Sequence, residues 1–287
     1  MRRLAEWATA DFRARGIESP RLDAELIVAD VLGVSRTQLI LDYDRELSPE
    51  ERHVLRALVQ RRRAREPMAY LRGQREFFGR DFHVDKRVLV PRPDTEVLVE
   101  TALRLGPALG GRFLDLCTGS GAVGISIAKE RPTSRVLCTD ISNDALTVAR
   151  ANARRLGAYK VGFVQGDLFE GVAETLARAG YSPRFDVIVS NPPYIPSAEI
   201  ATLMPDVRDH EPHLALDGGV DGLDLVRRII DRAPDFLVRG GGLALEIGAG
   251  QADAVATLLS ARGFTHVARA RDLARIERVV HGTWEQP

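Results

Sequence analysis

Phe113-Leu114-Asp115-Leu116-Cys117-Thr118-Gly119-Ser120-Gly121-Ala122-Val123-Gly124 reads as an apolar strand, a glycine turn and the start of a helix. Gly119, Gly121 and Gly124 have the spacing G-x-G-x-x-G. Glycine at these places permits a tight turn and lets the backbone approach a ligand seated over the helix N-terminus. The spacing alone leaves two ligands open: a nicotinamide or flavin dinucleotide, and S-adenosylmethionine. Outward from this stretch the pattern alternates. Apolar strands are predicted at 112–117, 135–140, 161–166, 185–190, 242–248, 264–269 and 276–281, with helices at 122–130, 143–155, 171–178, 221–237 and 251–261. Continuous apolar strands separated by helices specify an α/β fold whose mostly parallel sheet is covered on both faces. Only Arg271 to Arg275 join the last two strands, so these are expected to pair antiparallel.

Three carboxylates narrow the choice of ligand. Asp115 stands four residues before Gly119, near the strand end. A carboxylate there repels a pyrophosphate but attracts an ammonium or a sulfonium. Asp140 closes the next strand, beside the loop, where it can accept the ribose hydroxyls of either cofactor. Asp167 closes the third, in Gln165-Gly166-Asp167-Leu168. It is placed to accept an adenine amino group while Leu168 packs near the ring. Each aspartate alone also reads as a helix cap. Three at successive strand ends favour S-adenosylmethionine.

The fourth strand, Phe185 to Ser190, runs into Asn191-Pro192-Pro193-Tyr194. Ligands of open α/β sheets bind at the C-terminal strand edge, which is where this motif falls. A rigid turn with a stacked tyrosine is the plainer reading. The chemical reading is a planar nitrogen acceptor. An amide or aromatic amine has a delocalised lone pair and must be aimed along the sulfur–methyl axis. The Asn191 side-chain oxygen can accept one N–H and the Pro192 carbonyl another. Tyr194 can offer its ring face to the acceptor or the sulfonium. No strong base is needed beforehand, because the nitrogen becomes cationic and then loses its proton. Glu246, in Leu243-Ala244-Leu245-Glu246-Ile247-Gly248, reads either as structural or as lining the substrate channel.

Residues 1–73 read as a helical domain. Ser19-Pro20 looks like a cap followed by proline at the first helical position, and Ser48 with Glu51 fits a capping box. Arg61-Arg62-Arg63 and Arg65 read as a solvated helix end, or else as a contact for RNA or an acidic partner. Residues 74–95 suggest two short strands and a linker, in which Asp94 or Thr95 can cap a helix starting near Glu96. Residues 96–287 form the cofactor domain. The 287 residues carry 40 basic and 40 acidic side chains, which disfavours a protein that grips duplex nucleic acid through its phosphates. Cys117 and Cys138 fall in strands and are expected to be reduced thiols. No apolar run reaches the roughly 20 residues that cross a bilayer. A cytoplasmic protein is expected, and no metal site is assigned.

Taken together, these residues resemble the class I S-adenosylmethionine-dependent methyltransferases that modify planar nitrogens. The chain is most similar to the peptide chain release factor glutamine methyltransferases. The resemblance rests on Val90-Pro91-Arg92-Pro93-Asp94-Thr95-Glu96, the Asp115 to Gly121 loop, Asn191 to Tyr194, and Glu211-Pro212 with Leu214-Ala215-Leu216. It implies a Rossmann-like sheet with a small helical N-terminal domain that recognises the substrate. It also implies N5-methylation of the glutamine in the Gly-Gly-Gln motif of class 1 release factors. By the same resemblance, Cys117, Thr118, Gly119, Ser120, Gly121, Asp140, Asp167 and Leu168 contact S-adenosylmethionine, together with Asp115 and Asn191. Asn191, Pro192, Pro193 and Tyr194 would bind the glutamine, with Asn191, Pro192 and Tyr194 as the catalytic set. Cys117 stands where this family commonly has glycine. N6-adenine methylation of DNA or RNA, and glutamine methylation of a ribosomal protein, are the alternatives. The chain itself is not expected to take nucleic acid as its substrate.

Overall fold

A computed structural model describes residues 1–286 of the chain. It divides into two units, Met1–Gln74 with Met204–His210, and Arg75–Leu203 with the chain from Glu211 onward. The two-stranded hairpin of β1 (Gln74–Phe77) and β2 (Arg80–His83) is almost wholly part of the second unit. It is shorter than the 74–95 segment read from sequence. After it the chain is irregular up to a short 3-10 turn at Pro93–Thr95.

The second unit is built on seven strands: β3 (Arg112–Leu116), β4 (Arg135–Asp140), β5 (Val161–Gln165), β6 (Phe185–Ser190), β7 (Leu237–Glu246), β8 (Thr265–Arg271) and β9 (Glu277–Trp284). Their order is β5-β4-β3-β6-β7-β9-β8. The first five run parallel, and β9 is antiparallel to both β7 and β8. Side chains along each strand alternate between two cores. Leu114, Leu116, Ile188, Leu243 and Leu245 enter one, while Phe113, Val187, Val189 and Ala244 enter the other. Fully burying one such side chain contributes about 1.5–3 kcal/mol, so the alternation fixes strand register firmly. The chain order reverses around β3, which has β4 on one side and β6 on the other. The crevice at its C-terminal end is therefore a topological switch point.

Two predicted boundaries shift. The helix expected at 221–237 is Asp224–Arg232 followed by a 3-10 turn at Ala233–Phe236, and β7 already begins at Leu237. Arg239-Gly240-Gly241-Gly242 interrupts the apolar pattern without ending the strand. The irregularity is absorbed by a register shift against β6 between Phe185 and Val187.

The first unit packs helices Arg2–Ala14, Pro20–Leu32, Arg36–Leu41, Pro49–Arg63 and Met68–Arg72 around Phe12, Ile27, Leu39 and Leu55. Ser48 and Glu51 form the expected capping box. Ser19 precedes its helix without a side-chain capping bond. The arginine cluster differs from both readings given above. Arg62 is 5% exposed and bridges Asp23 at 2.8 Å and Asp206 at 2.7 Å. Arg61 pairs with Glu66, Arg63 with Asp11, and Arg65 with Asp206. The charge is neutralised within the unit, half of it by a short segment that returns from beyond residue 200.

Candidate functional site

The C-terminal ends of β3, β4, β5 and β6 open into one cavity of the second unit. The glycine loop forms its floor. Gly119 and Gly121 adopt φ of +55° and +82°, the left-handed region where glycine carries no side-chain penalty. Cys117 has φ of +58° and Leu168 of +55°, at a cost of order 1–2 kcal/mol each. That explains why glycine serves well at position 117. Neighbouring bonds hold both strained residues. The Thr118 N–H donates to the Thr139 carbonyl at 3.0 Å, and the Thr139 hydroxyl donates to the Leu168 carbonyl at 3.0 Å. Burial pushes the Cys117 thiol up to about 12, so it stays neutral and offers no nucleophile.

Asp115, read from sequence as a charge for the ligand, is bonded within the loop. It is 1% exposed, on the same sheet face as Phe113, under the helix Ala122–Glu130. Its Oδ2 accepts the Thr118 hydroxyl at 2.5 Å and the Gly124 N–H at 3.0 Å. Asp115 thus ties the loop to the helix start. Asp115 nevertheless also lines the cavity, at its floor. Burial raises its pKa to about 7, against the lowering effect of those two bonds. Gly124 is required by the same packing, since a Cβ there would meet Asp115 Oδ2 at 3.0 Å and the Cys138 sulfur more closely still. Gly124→Ala is expected to cost about 1–3 kcal/mol, lowering Tm by several degrees. An unchanged melting curve would show that the loop is not braced in this way.

Asp140 stands at the rim. Its Oδ2 accepts the Gly119 N–H and its Oδ1 the Ser142 N–H, both at 2.9 Å. Each oxygen retains a second lone pair. Burial raises the carboxyl, while the two N–H bonds hold it down. Asp167 Oδ2 pairs with Arg228 at 2.7 Å, so one of its oxygens is already engaged. Ile141, 49% exposed, lines the cavity between the two aspartates and faces the same space as Leu168. Sequence reading missed Ile141, although an apolar residue directly after a strand-ending carboxylate was a usable signal.

The opposite wall comes from the segment first read as a linker: Arg87, Val88, Leu89, Pro91, Arg92 and Thr95. Asn191 and Pro193 line the cavity too, with Pro212, Leu214 and Ala215. The Asn191 Nδ2 donates to the Thr95 hydroxyl oxygen at 3.3 Å. Among the described residues no donor takes Asn191 Oδ1 or the Pro192 carbonyl. Pro192 and Gly121 do not line the cavity, and neither does Tyr194. The Tyr194 ring lies against Gly248, where a Cβ would come within 3.2 Å of it. Burial and the nearby Glu246 charge raise the phenol to about 12.

These residues fit S-adenosylmethionine. A free carboxylate lone pair at Asp140 meets a diol, Ile141 and Leu168 give apolar cover for a flat ring, and Gly119 leaves open space where a side chain would stand. Among the described residues no group of three or more His, Cys, Asp or Glu could hold a metal ion, and no helix is long and apolar enough to cross a membrane.

Comparison with known proteins agrees. Residues 3–73 match the PrmC N-terminal domain and residues 93–207 the methyltransferase small domain. The chain is 43% identical to a release factor glutamine methyltransferase of Geobacter sulfurreducens, over 98% of this chain and 96% of that one. It is 44% identical to one of Burkholderia pseudomallei, over 96% of each. Among solved structures, a methyltransferase from Pyrococcus furiosus shares the fold at 20% identity, with a TM-score of 0.54 over 73% of this chain and 91% of that one.

Proposed function

We infer, because this chain belongs to the release factor glutamine methyltransferases, how its own residues perform that reaction. It is an S-adenosylmethionine-dependent enzyme that methylates the side-chain amide of a release factor glutamine. The substrates proposed are class 1 release factors, and the glutamine is that of their Gly-Gly-Gln motif. The helical N-terminal unit would recognise the body of the release factor. The setting proposed is the cytoplasm, where translation terminates.

One observation carries the assignment of roles. Asn191 stands at the cavity wall with its amide nitrogen held by Thr95 and its oxygen unclaimed. That oxygen and the Pro192 carbonyl would accept the two hydrogens of the glutamine carboxamide. Two acceptors orient the nitrogen and favour partial loss of its planarity. Positioning of this kind can remove about 7–11 kcal/mol from a barrier in the best cases. Bound in the cavity, S-adenosylmethionine supplies an electrophilic methyl group on a positively charged sulfur. The glycine loop from Cys117 to Gly121 and Asp140 would hold it, with Asp167 and Leu168 at the adenine end. Asp115 supports from below by fixing the loop. Tyr194 is proposed to back the carboxamide site with its ring rather than to enter the cavity.

The clustered arginines Arg61, Arg62 and Arg63 are paired with carboxylates of their own unit. This favours a protein substrate over adenine in DNA or RNA. Incubation with labelled S-adenosylmethionine, a class 1 release factor and DNA is expected to label the release factor alone. Label on adenine, with none on glutamine, would reject the reading.

A further inference from the structure

We propose that Gln251 is a positioning residue for methyl transfer: by bonding the Tyr194 carbonyl it fixes the far end of the Asn191–Tyr194 segment and so aims the Pro192 carbonyl at the substrate amide. This rests on the reading of Asn191 and Pro192 as acceptors for the glutamine hydrogens.

The segment is stiff between its ends. Asn191 and Pro192 each precede a proline, which disfavours helical backbone at both, and the rings lock φ at Pro192 and Pro193. A stiff segment passes a rotation at one end to the other. Its near end continues β6, where Ser190 is paired with Leu116 on one side and Leu245 on the other. Its far end lies in no strand or helix, so other contacts have to set its direction. The peptide plane joining Tyr194 to Ile195 is gripped at both edges. On one edge the Ile195 N–H donates to the Leu216 carbonyl at 3.1 Å. On the other, Gln251 Nε2 donates to the Tyr194 carbonyl at 3.0 Å. Among the described residues no other donor takes that carbonyl. Without Gln251 the plane would be free to hinge about a single bond.

Gln251 is itself set firmly. Its Oε1 accepts the Gly248 N–H at 2.8 Å, and Nε2 also lies 3.5 Å from the Asp221 carbonyl. An amide facing one N–H and two carbonyls is satisfied in one orientation only, so its donating side is fixed toward Tyr194. Gln251 heads the helix Ala252–Arg262 without a side-chain capping bond to it, which leaves the side chain for this bridge. Three glycines make room for the arrangement. A Cβ on Gly222 would overlap the Tyr194 carbonyl oxygen and stand 2.7 Å from Gln251 Nε2. One on Gly218 would stand 2.8 Å from the Pro193 oxygen, and one on Gly248 3.2 Å from the Tyr194 ring. Close backbone approach of this kind needs glycine.

The test is kcat for a class 1 release factor at saturating S-adenosylmethionine, with donor affinity read by calorimetry and folding by Tm. Two substitutions separate the two bonds of the side chain. Gln251→Glu keeps the shape and the acceptor for Gly248 but sets an oxygen against the Tyr194 carbonyl. Gln251→Lys keeps a donor for that carbonyl and gives up Gly248. Gln251→Glu is expected to lower kcat by about 10–100-fold, the scale of a reacting group misplaced by about 1 Å. Its donor affinity should stay within about threefold of normal, since the donor's proposed contacts lie elsewhere. Gln251→Lys should keep kcat within about fivefold of the wild type, as a side chain that retains the orienting bond. Gln251→Met, which makes neither bond, should be as slow as Gln251→Glu; if it does not fold, the first two variants decide. A normal kcat in Gln251→Glu, a Gln251→Lys enzyme equally slow, or donor affinity falling in step with kcat would overturn the proposal. Failure of the underlying reading is seen separately, as an Asn191→Ala enzyme with normal kcat, and that result overturns both.

Discussion

Asn191→Ala is expected to lower kcat for glutamine methylation by about 10³-fold, the scale seen when one preorganised polar group is removed from a reacting centre. S-adenosylmethionine should still bind within about threefold of its normal affinity, since the bonds proposed to hold it come from the glycine loop and Asp140. The asymmetry follows from the geometry. Asn191 makes one bond to the protein, through Nδ2, and leaves Oδ1 to the substrate. Its loss leaves the carboxamide with the Pro192 carbonyl alone, free to rotate about that single contact. Kinetics together with calorimetry separates the outcomes. Equal loss of methyl transfer and donor binding would make Asn191 a structural residue.

Asp140→Ala is expected to raise the dissociation constant for S-adenosylmethionine by about 10–100-fold, since a hydrogen bond to a charged group contributes about 1.5–3 kcal/mol. Two effects add. The ribose hydroxyls lose their acceptor, and the Gly119 N–H loses the bond that fixes the loop. With saturating donor, kcat should fall only a few-fold, because Asp140 does not reach the carboxamide site. Titration calorimetry reads the first and steady-state kinetics the second. Unchanged affinity would remove the ribose role.

The parallel strands and the glycine loop were legible because burial on both faces writes itself as continuous apolar runs ended by small residues. The start of β7 was not, because Arg239 and three glycines imitate a turn, and pairing with β6 and β9 makes the segment a strand. The arginine cluster could not be read either. Arg62 finds Asp206 across 144 residues, a distance no local pattern encodes. At the site, residue types were legible and directions were not. Asp115 was seen as a charge for the ligand; it lines the cavity, and its bonds to Thr118 and Gly124, which brace the loop, were not legible. Tyr194 was read as a ring for the reacting centre, and the closeness of that ring to Gly248 was not legible. Thr95 was read as a helix cap, whereas its hydroxyl serves Asn191.

The central claim is that one cavity holds the methyl donor beside a grip for a carboxamide. The most direct measurement is a crystal structure of this enzyme with S-adenosylhomocysteine and a class 1 release factor. The sulfur should open toward Asn191, with the glutamine amide hydrogens on Asn191 Oδ1 and the Pro192 carbonyl. A nucleoside lodged away from Asp140, or a glutamine bound without those two acceptors, would contradict the account.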